Sequence, residues 1–200
     1  MIKKLLSLAC IALSFAGAAQ ADTAPDALVK RISAEVIDTA KSDKAIQAGD
    51  VNKVIQLVDA KVMPSVNFEV MTRSAVGPKW REATPEQRTK LQTEFKTLLV
   101  RVYAGALTQI KDQTVEITKT QAVPQSTQVV VQSEVRGKGE PIKLDYRLDK
   151  FEADWKIIDV NVGGIWLVTS YRSQFGQELA NGGVDGLIAK LAERNKAAAK

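Results

Sequence analysis

The chain has no histidine, and its single cysteine, Cys10, lies within the first 21 residues. That segment has the form of an export signal: two lysines precede a short apolar run, and Ala19-Gln20-Ala21 matches a small-residue cleavage site. The run is too short for a transmembrane anchor. We therefore predict a cleaved signal peptide over residues 1–21 and a single domain over residues 22–200.

A mature chain without cysteine and histidine lacks two side chains on which many enzymes rely, although Ser-Lys or paired-carboxylate catalysis is not excluded by composition. It cannot form the common zinc sites, a Ser-His or cysteine nucleophile, or a histidine acid–base pair. It cannot form a disulfide either, so the core alone must stabilise the fold. The sequence also lacks a G-x-S-x-G and a Walker motif. These absences favour a binding protein over an enzyme, with no metal and no cofactor.

Excess charge of one sign is also scarce. The whole chain carries a net charge of +5 at pH 7, and removal of the signal peptide with its two lysines leaves +3. That value is ordinary for a soluble domain. No basic run with interleaved aromatic residues is present, so we expect no nucleic-acid partner.

The first half of the mature chain has helical periodicity. The clearest helix start is Thr84-Pro85-Glu86-Gln87, in which Thr84 can cap the helix and Gln87 can complete a capping box. From Leu91 to Ile110, apolar residues then recur every three or four positions. The pattern predicts a helix of about seven turns with a continuous apolar face.

The apolar period then changes from 3.6 to 2, over four segments between residues 115 and 162. In the third segment Ile142, Leu144, Tyr146 and Leu148 alternate with charged residues. We predict an α+β fold, with helices packed on one face of a curved four-stranded antiparallel sheet. Gly163-Gly164 is expected to end the sheet, and Gly182-Gly183 to break the helical region that follows.

The strand phase also assigns side chains to the two faces of the sheet. It places Ile158, Val160 and Val162 on the inner face, and Asp145, Asp149 and Asp159 in solvent. A buried general acid is therefore not expected. An apolar cavity between the layers would be the default ligand site, although aromatic residues in such positions are more often plain core.

Three classes of function remain open on these residues alone. The first is a carrier of an apolar ligand. The second is an isomerase-like enzyme on a cone-shaped α+β fold, which would need a buried carboxylate near a tyrosine. The third is a ligand-free interaction module in which every aromatic side chain belongs to the core.

Five segments occur in a distinctive order and spacing. They are Trp80-Arg81-x-Ala83-Thr84-Pro85-Glu86-Gln87-Arg88, Phe95-x-x-Leu98-Leu99-x-x-x-Tyr103, Asp159-Val160-x-Val162-x-Gly164-Ile165, Tyr171-Arg172-x-Gln174-Phe175 and Gly183-Val184-Asp185-Gly186-Leu187. Together they resemble the MlaC-type toluene-tolerance family of periplasmic phospholipid-binding proteins. The resemblance covers roughly residues 25–192.

The resemblance implies a soluble periplasmic carrier that shuttles phospholipid within a system that maintains lipid asymmetry. The implied partners are the phospholipid itself, an inner-membrane ABC transporter complex with its membrane-anchored lipid-binding subunit, and an outer-membrane lipoprotein–porin complex. The acyl chains would enter a cavity between sheet and helices, and the head group would stay near solvent. Phospholipid would be cargo, and no cofactor is implied.

Motif positions and inward-facing phase together select the side chains expected to contact the acyl chains. They are Phe68, Met71, Phe95, Leu98, Leu99, Val102, Tyr103, Leu144, Tyr146, Ile158, Val160, Ile165, Tyr171 and Phe175. Arg73, Lys79 and Arg172 could meet a phosphate at the mouth of the cavity. Arg147, on the outer face of the sheet by phase, is a better candidate for partner docking.

Overall fold

The structure is a computed structural model that describes residues 24–197. The predicted signal peptide lies outside these residues. The helices are α1 (Pro25–Ser42), α2 (Lys44–Gln47), α3 (Val51–Leu57), α4 (Phe68–Val76), α5 (Pro85–Thr108) and α6 (Leu167–Ala197). The strands are β1 (Thr114–Ala122), β2 (Val129–Arg136), β3 (Ile142–Phe151), β4 (Asp154–Val162) and β5 (Ile165–Trp166).

The strands form one antiparallel sheet in the order β1-β2-β3-β4-β5. The predicted α+β fold, with helices on one face of the sheet, is confirmed. The prediction of four strands missed β5, which is only two residues long. Gly163 and Gly164 have φ values of 59° and 94°, so the chain reverses there and Ile165 pairs with Val162.

Two local signals in the sequence are confirmed in the helices. Thr84 Oγ1 accepts the Gln87 backbone N–H at 3.2 Å, and the Gln87 side chain accepts the Thr84 N–H at 2.9 Å, which completes the capping box of α5. Gly183 has φ 61° and ψ −158°, so α6 kinks at the predicted break before continuing to Ala197.

The core consists of three clusters of buried side chains. The aromatic cluster joins α4, α5 and α6, and it contains Phe68, Phe95, Tyr171 and Phe175. The sheet cluster joins α1 to the inner face of the sheet through Leu28, Val29, Ile32, Val131, Leu148 and Ile157. The helical cluster joins α1, α2, α3 and α5 through Ala40, Ile46, Val54, Leu57, Val100 and Ala104. The helix α5 therefore contributes to two of the three clusters.

The path from α3 to α4 is irregular. A π-helical turn over Val58–Val62 leads into a 3₁₀ turn over Met63–Ser65, where Pro64 interrupts regular helix. Val66 then forms a single parallel bridge with Ile157 before α4 begins. This path carries the chain from the helical cluster to the edge of the aromatic cluster. Within residues 24–197, no helix is both long and apolar enough to cross a membrane.

The predicted phase of β4 is wrong at Ile158. Arg147 pairs with Asp159, but the next residue of β3, Leu148, pairs with Ile157, so Ile158 is the extra residue of a β-bulge. Ile157 therefore takes the place in the sheet cluster that the alternating pattern assigned to Ile158. Beyond the bulge Val160 and Val162 keep their predicted inner-face positions, opposite Tyr146 and Leu144.

Candidate functional site

The apolar side of α5 has a buried part and an open part. Phe95 is fully buried in the aromatic cluster, and Val100 is buried in the helical cluster. Between these two directions, Leu99 and Tyr103 are only half-buried and pack on the edge of the aromatic cluster. Val102, one helical turn beyond Leu99, is 54% exposed. This side of α5 is therefore an apolar surface that the rest of the fold covers incompletely.

The inner face of the sheet offers a second incompletely covered apolar surface. Tyr146, Val160, Leu144 and Val162 lie there as directly opposed pairs of β3 and β4, and all four are half-buried. Val160 and Val162 border the same aromatic cluster as Leu99 and Tyr103. We call the two surfaces formed by these six residues together the α5–sheet cleft.

Exposed apolar residues mark the rim of this cleft. Ile165 is 60% exposed and pairs with Val162, while Ile142 is 57% exposed and lies on the same face of β3 as Leu144. Val102 and Ile165 were predicted inside the cavity, and the structure instead places both in solvent. The reason is that β5 is the edge strand of the sheet formed by residues 24–197 and that Val102 does not pack on the aromatic cluster. Ile142 was missed, although its place in the alternating pattern of β3 was a usable signal.

Six of the predicted contact residues form the aromatic cluster rather than an open surface. The ring of Phe95 lies 5.6 Å from that of Phe68, 5.0 Å from that of Tyr171 and 5.1 Å from that of Phe175, measured between centroids. Met71 and Leu98 are buried beside these rings. These side chains form the floor of the α5–sheet cleft. Their aromatic rings pack against one another.

Three tyrosines in the cleft and in the aromatic cluster beside it have raised pKa values. Burial raises the pKa of Tyr103, Tyr146 and Tyr171 above the usual 10.0, and the nearby Tyr103 hydroxyl raises that of Tyr171 further. The Tyr146 hydroxyl lies 3.5 Å from the hydroxyl of Ser33 on α1. None of the three is therefore poised to act as a base near neutral pH.

Asp159 is buried, and the prediction of a solvent-exposed carboxylate is wrong. Its side chain is 3% exposed, and its Oδ1 accepts the backbone N–H groups of Val160 at 2.9 Å and of Val168 at 3.0 Å. Burial raises the pKa of this carboxyl above its usual value, although both hydrogen bonds and the Arg147 charge lower it. The sequence pattern missed the burial because β5 and the start of α6 cover this end of the outer face.

The carboxyl of Asp159 has structural partners on the face of the sheet opposite the cleft. Arg147 Nη1 lies 3.8 Å from its Oδ2, and the same guanidinium lies 4.3 Å from the ring centroid of Trp166. Since Asp159 pairs with Arg147 while Val160 pairs with Tyr146, its side chain points away from the tyrosines. The arrangement joins β3 and β4 to the first turn of α6.

Two cavities on the surface of residues 24–197 are lined by other residues than those of the cleft. One, of about 310 Å³, is lined by Arg73, Gly77, Pro78, Trp80, Arg81 and Arg172. The other, of about 270 Å³, is lined by Leu28, Arg31, Pro64, Ser65, Ala153, Asp154, Trp155 and Lys156. Two of the three cations predicted to meet a phosphate thus line one cavity. The third, Lys79, is not among the lining residues, and its Nζ is paired with Glu82 Oε2 at 2.7 Å.

Comparison with known proteins gives a family model and relatives that agree with one another. The model of the MlaC protein family matches residues 30–193. The toluene tolerance protein Ttg2D of Pseudomonas putida is 24% identical, over 87% of this chain and 84% of its own length. The intermembrane phospholipid transport system binding protein MlaC of Haemophilus influenzae is 23% identical, over 86% and 82%.

One solved structure is similar in sequence as well as in fold. It is that of the phospholipid-binding protein from Ralstonia solanacearum in complex with a phospholipid. The TM-score is 0.84 and the sequence identity 43%, and the match covers 90% of this chain and all of the other.

Proposed function

Because this chain belongs to the MlaC family, we propose that it binds phospholipid and carries it through the periplasm as a soluble transport protein. The observation that carries the proposal is the 43% identity to a protein of the same fold solved with a phospholipid bound. The two curated relatives, named for toluene tolerance and for intermembrane phospholipid transport, point the same way.

In this proposal the acyl chains lie in the α5–sheet cleft. Leu99 and Tyr103 of α5 contact them from one side, and Leu144, Tyr146, Val160 and Val162 contact them from the sheet. The buried rings of the aromatic cluster form the end against which the chains stop. Val102, Ile142 and Ile165 provide an apolar rim, which suits the passage of an acyl chain between the cleft and a membrane or a partner.

Entry of acyl chains requires α5 and the sheet to separate, and the packing of α5 favours this. The main helical contacts of α5 are with α6 and α3, while those of the sheet are with α1, α6 and α4. The half-buried side chains of the cleft can therefore part without the three core clusters being broken. The energy of separation is offset by the apolar surface of the chains.

The carrier works by making transfer nearly neutral in free energy. Each methylene removed from water contributes about 0.8 kcal/mol, so two chains with about 30 carbons together disfavour free lipid by about 20 kcal/mol or more. A cleft that is as apolar as a bilayer removes this barrier without holding the lipid irreversibly. Since the sequence contains no Walker motif, the direction of transport must come from partners.

The proposed partners follow from family membership and from the predicted signal peptide. They are an inner-membrane ABC transporter complex with its membrane-anchored lipid-binding subunit and an outer-membrane lipoprotein–porin complex. The protein would load and unload at these two sites and so help to maintain lipid asymmetry. Arg147 is 35% exposed on the outer face of the sheet, and it remains our candidate for a docking contact.

The alternative of an isomerase-like enzyme is disfavoured by the position of Asp159. Such an enzyme would need its raised-pKa carboxyl beside a tyrosine in the apolar site. Asp159 has the raised pKa, but it lies on the opposite face of the sheet from Tyr146 and caps the first turn of α6. Asp159 is therefore a structural group. None of the six residues that define the cleft is an acid that could replace it.

The test is native mass spectrometry of the mature protein purified from a bacterial envelope, followed by lipid extraction. We expect phospholipid to copurify at a defined stoichiometry and to be lost in denaturing solvent. A bare mass that does not change after incubation with phospholipid vesicles would contradict the proposal. That result would favour the alternative of a ligand-free interaction module, in which the apolar surfaces of the cleft hold no lipid.

A further inference from the structure

Three arginines from three elements line the 310 Å³ cavity. Arg73 lies on α4, Arg81 ends the 3₁₀ turn Gly77–Arg81, and Arg172 lies in the second turn of α6. All three are exposed, and Trp80, which lines the cavity beside them, belongs to the aromatic cluster. The lining shares no residue with the α5–sheet cleft, and it contains no acidic residue.

The charges of these arginines are not compensated locally. Within residues 24–197, no carboxylate oxygen lies within 4.0 Å of a guanidinium nitrogen of Arg73, Arg81 or Arg172. Glu69, one helical turn before Arg73, is among the acids beyond that distance. Lys79, in the same 3₁₀ turn, pairs with Glu82. The cavity lined by Arg73, Arg81 and Arg172 thus concentrates three like charges, whose mutual repulsion a bound anion would relieve.

The surroundings of the cavity are suited to an anion. Trp80 is 4% exposed, so the cavity has an apolar side where charges interact more strongly than in water. The Cζ atom of Arg88 lies 5.4 Å from the Trp80 ring centroid. Arg88 is therefore a fourth cation near the cavity. The planar guanidinium group offers paired donors that match phosphate oxygens.

One of the arginines lies against the backbone at Gly77. The φ of Gly77, +71°, ends α4 in a conformation that other residues rarely adopt. The Nε and Nη2 atoms of Arg172 lie 3.5 Å from the position that a Cβ atom of residue 77 would take. The guanidinium therefore lies against the end of α4, at an ordinary van der Waals distance from the position of that Cβ atom.

We infer that Arg73, Arg81 and Arg172 form a binding site for a phosphate group. The site is a revision of the predicted head-group cations, with Arg81 in place of Lys79. Its phosphate could belong to the phospholipid in the cleft or to a lipid in a bilayer surface. The assignment of that source rests on the proposed function, whereas the site itself does not.

The experiment is a titration of the lipid-free mature protein with glycerol 3-phosphate, followed by NMR of the arginine Nε–H resonances. We expect the resonances of the three arginines to shift and saturate, and glycerol to have no effect. Arg73→Gln with Arg172→Gln should weaken binding by about tenfold for each arginine, because hydrogen bonds to ionised groups are the strong ones. Lys79→Gln is the matched control and should bind as the wild type does.

Two results would overturn the site. One is the absence of a saturable shift, and the other is an equal loss of binding in Lys79→Gln and in the double variant. A folded double variant, checked by its unchanged amide spectrum, is needed for the comparison. A protein that binds glycerol 3-phosphate but never holds phospholipid would contradict the proposed function and leave the phosphate site standing.

The source of the phosphate is decided by repeating the titration on phospholipid-loaded protein. If the cargo supplies the phosphate, loading should abolish binding of glycerol 3-phosphate. If a bilayer supplies it, loaded and lipid-free protein should bind alike, and the double variant should bind less to vesicles that contain phosphatidylglycerol. Either result supports the site and identifies the occupant.

Discussion

Single apolar side chains of this protein fall into two classes by their surroundings. Phe95 is fully buried and contacts three other rings, so its contribution is to the stability of the fold. Leu99 and Val160 are half-buried on facing sides of the α5–sheet cleft, so each has apolar surface left for a ligand. Substitutions in the two classes should have different consequences.

For the first class we predict that Phe95→Ala lowers the free energy of unfolding by about 3–5 kcal/mol, the usual cost of a large cavity in a core. Equilibrium unfolding in urea measures it. Thr93→Ala, at an exposed position of the same helix, is the control and should change stability little. A small loss of stability combined with loss of bound lipid would instead place Phe95 in the lipid contact surface.

For the second class we predict that Leu99→Asp or Val160→Asp reduces bound phospholipid by about tenfold or more, since a charge would have to be desolvated beside the acyl chains. Lipid phosphorus per mole of protein measures the loss, and circular dichroism verifies the fold. Thr93→Asp adds the same charge to an exposed part of α5 and should retain lipid. Global unfolding of both cleft variants would show that these residues belong to the core.

At the scale of elements, the best-predicted features are those encoded by a few adjacent residues. The capping box of α5 needs only Thr84 and Gln87, and the kink of α6 needs only a glycine that can adopt positive φ. The bulge at Ile158 could not be predicted in this way. An alternating pattern has no feature that marks where one strand carries an extra residue relative to its partner.

The junction of β4 with α6 gives a prediction about pH. The folded-state pKa of Asp159 is raised above the usual 3.8, so the folded protein binds this proton more tightly than the unfolded chain does. The resulting stabilisation is complete below about pH 3.8 and is lost as pH rises through the folded-state pKa. Asp159→Asn removes the titration.

As pH rises from about 3.5 towards 7, the wild type should therefore lose free energy of unfolding relative to Asp159→Asn. Urea unfolding at several pH values measures it. Asp145→Asn, on the same face of the sheet, is the control for a general effect of charge removal. A difference that shifts in favour of the wild type over this range would contradict the raised pKa.

At the scale of the whole molecule, composition and the periodicity of the apolar residues were the two informative signals. The absence of histidine and of cysteine after the predicted signal peptide favoured a binding protein. The change of the apolar period from 3.6 to 2 along the chain predicted the α+β fold class. The degree of exposure at Val102 and Ile165 was not predictable, because it depends on which element covers each face. The cavity lined by Arg73, Arg81 and Arg172 likewise depends on the meeting of three separate elements.

The central claim is that the acyl chains of a phospholipid lie between α5 and the inner face of the sheet. The most direct test loads the protein with a phospholipid that carries a photoreactive diazirine in one acyl chain and maps the crosslinks by tandem mass spectrometry. We predict crosslinks to the Leu99–Tyr103 segment and to inner-face residues such as Tyr146 and Val160. Crosslinks confined to the outer face of the sheet, or no lipid adduct at all, would contradict the account.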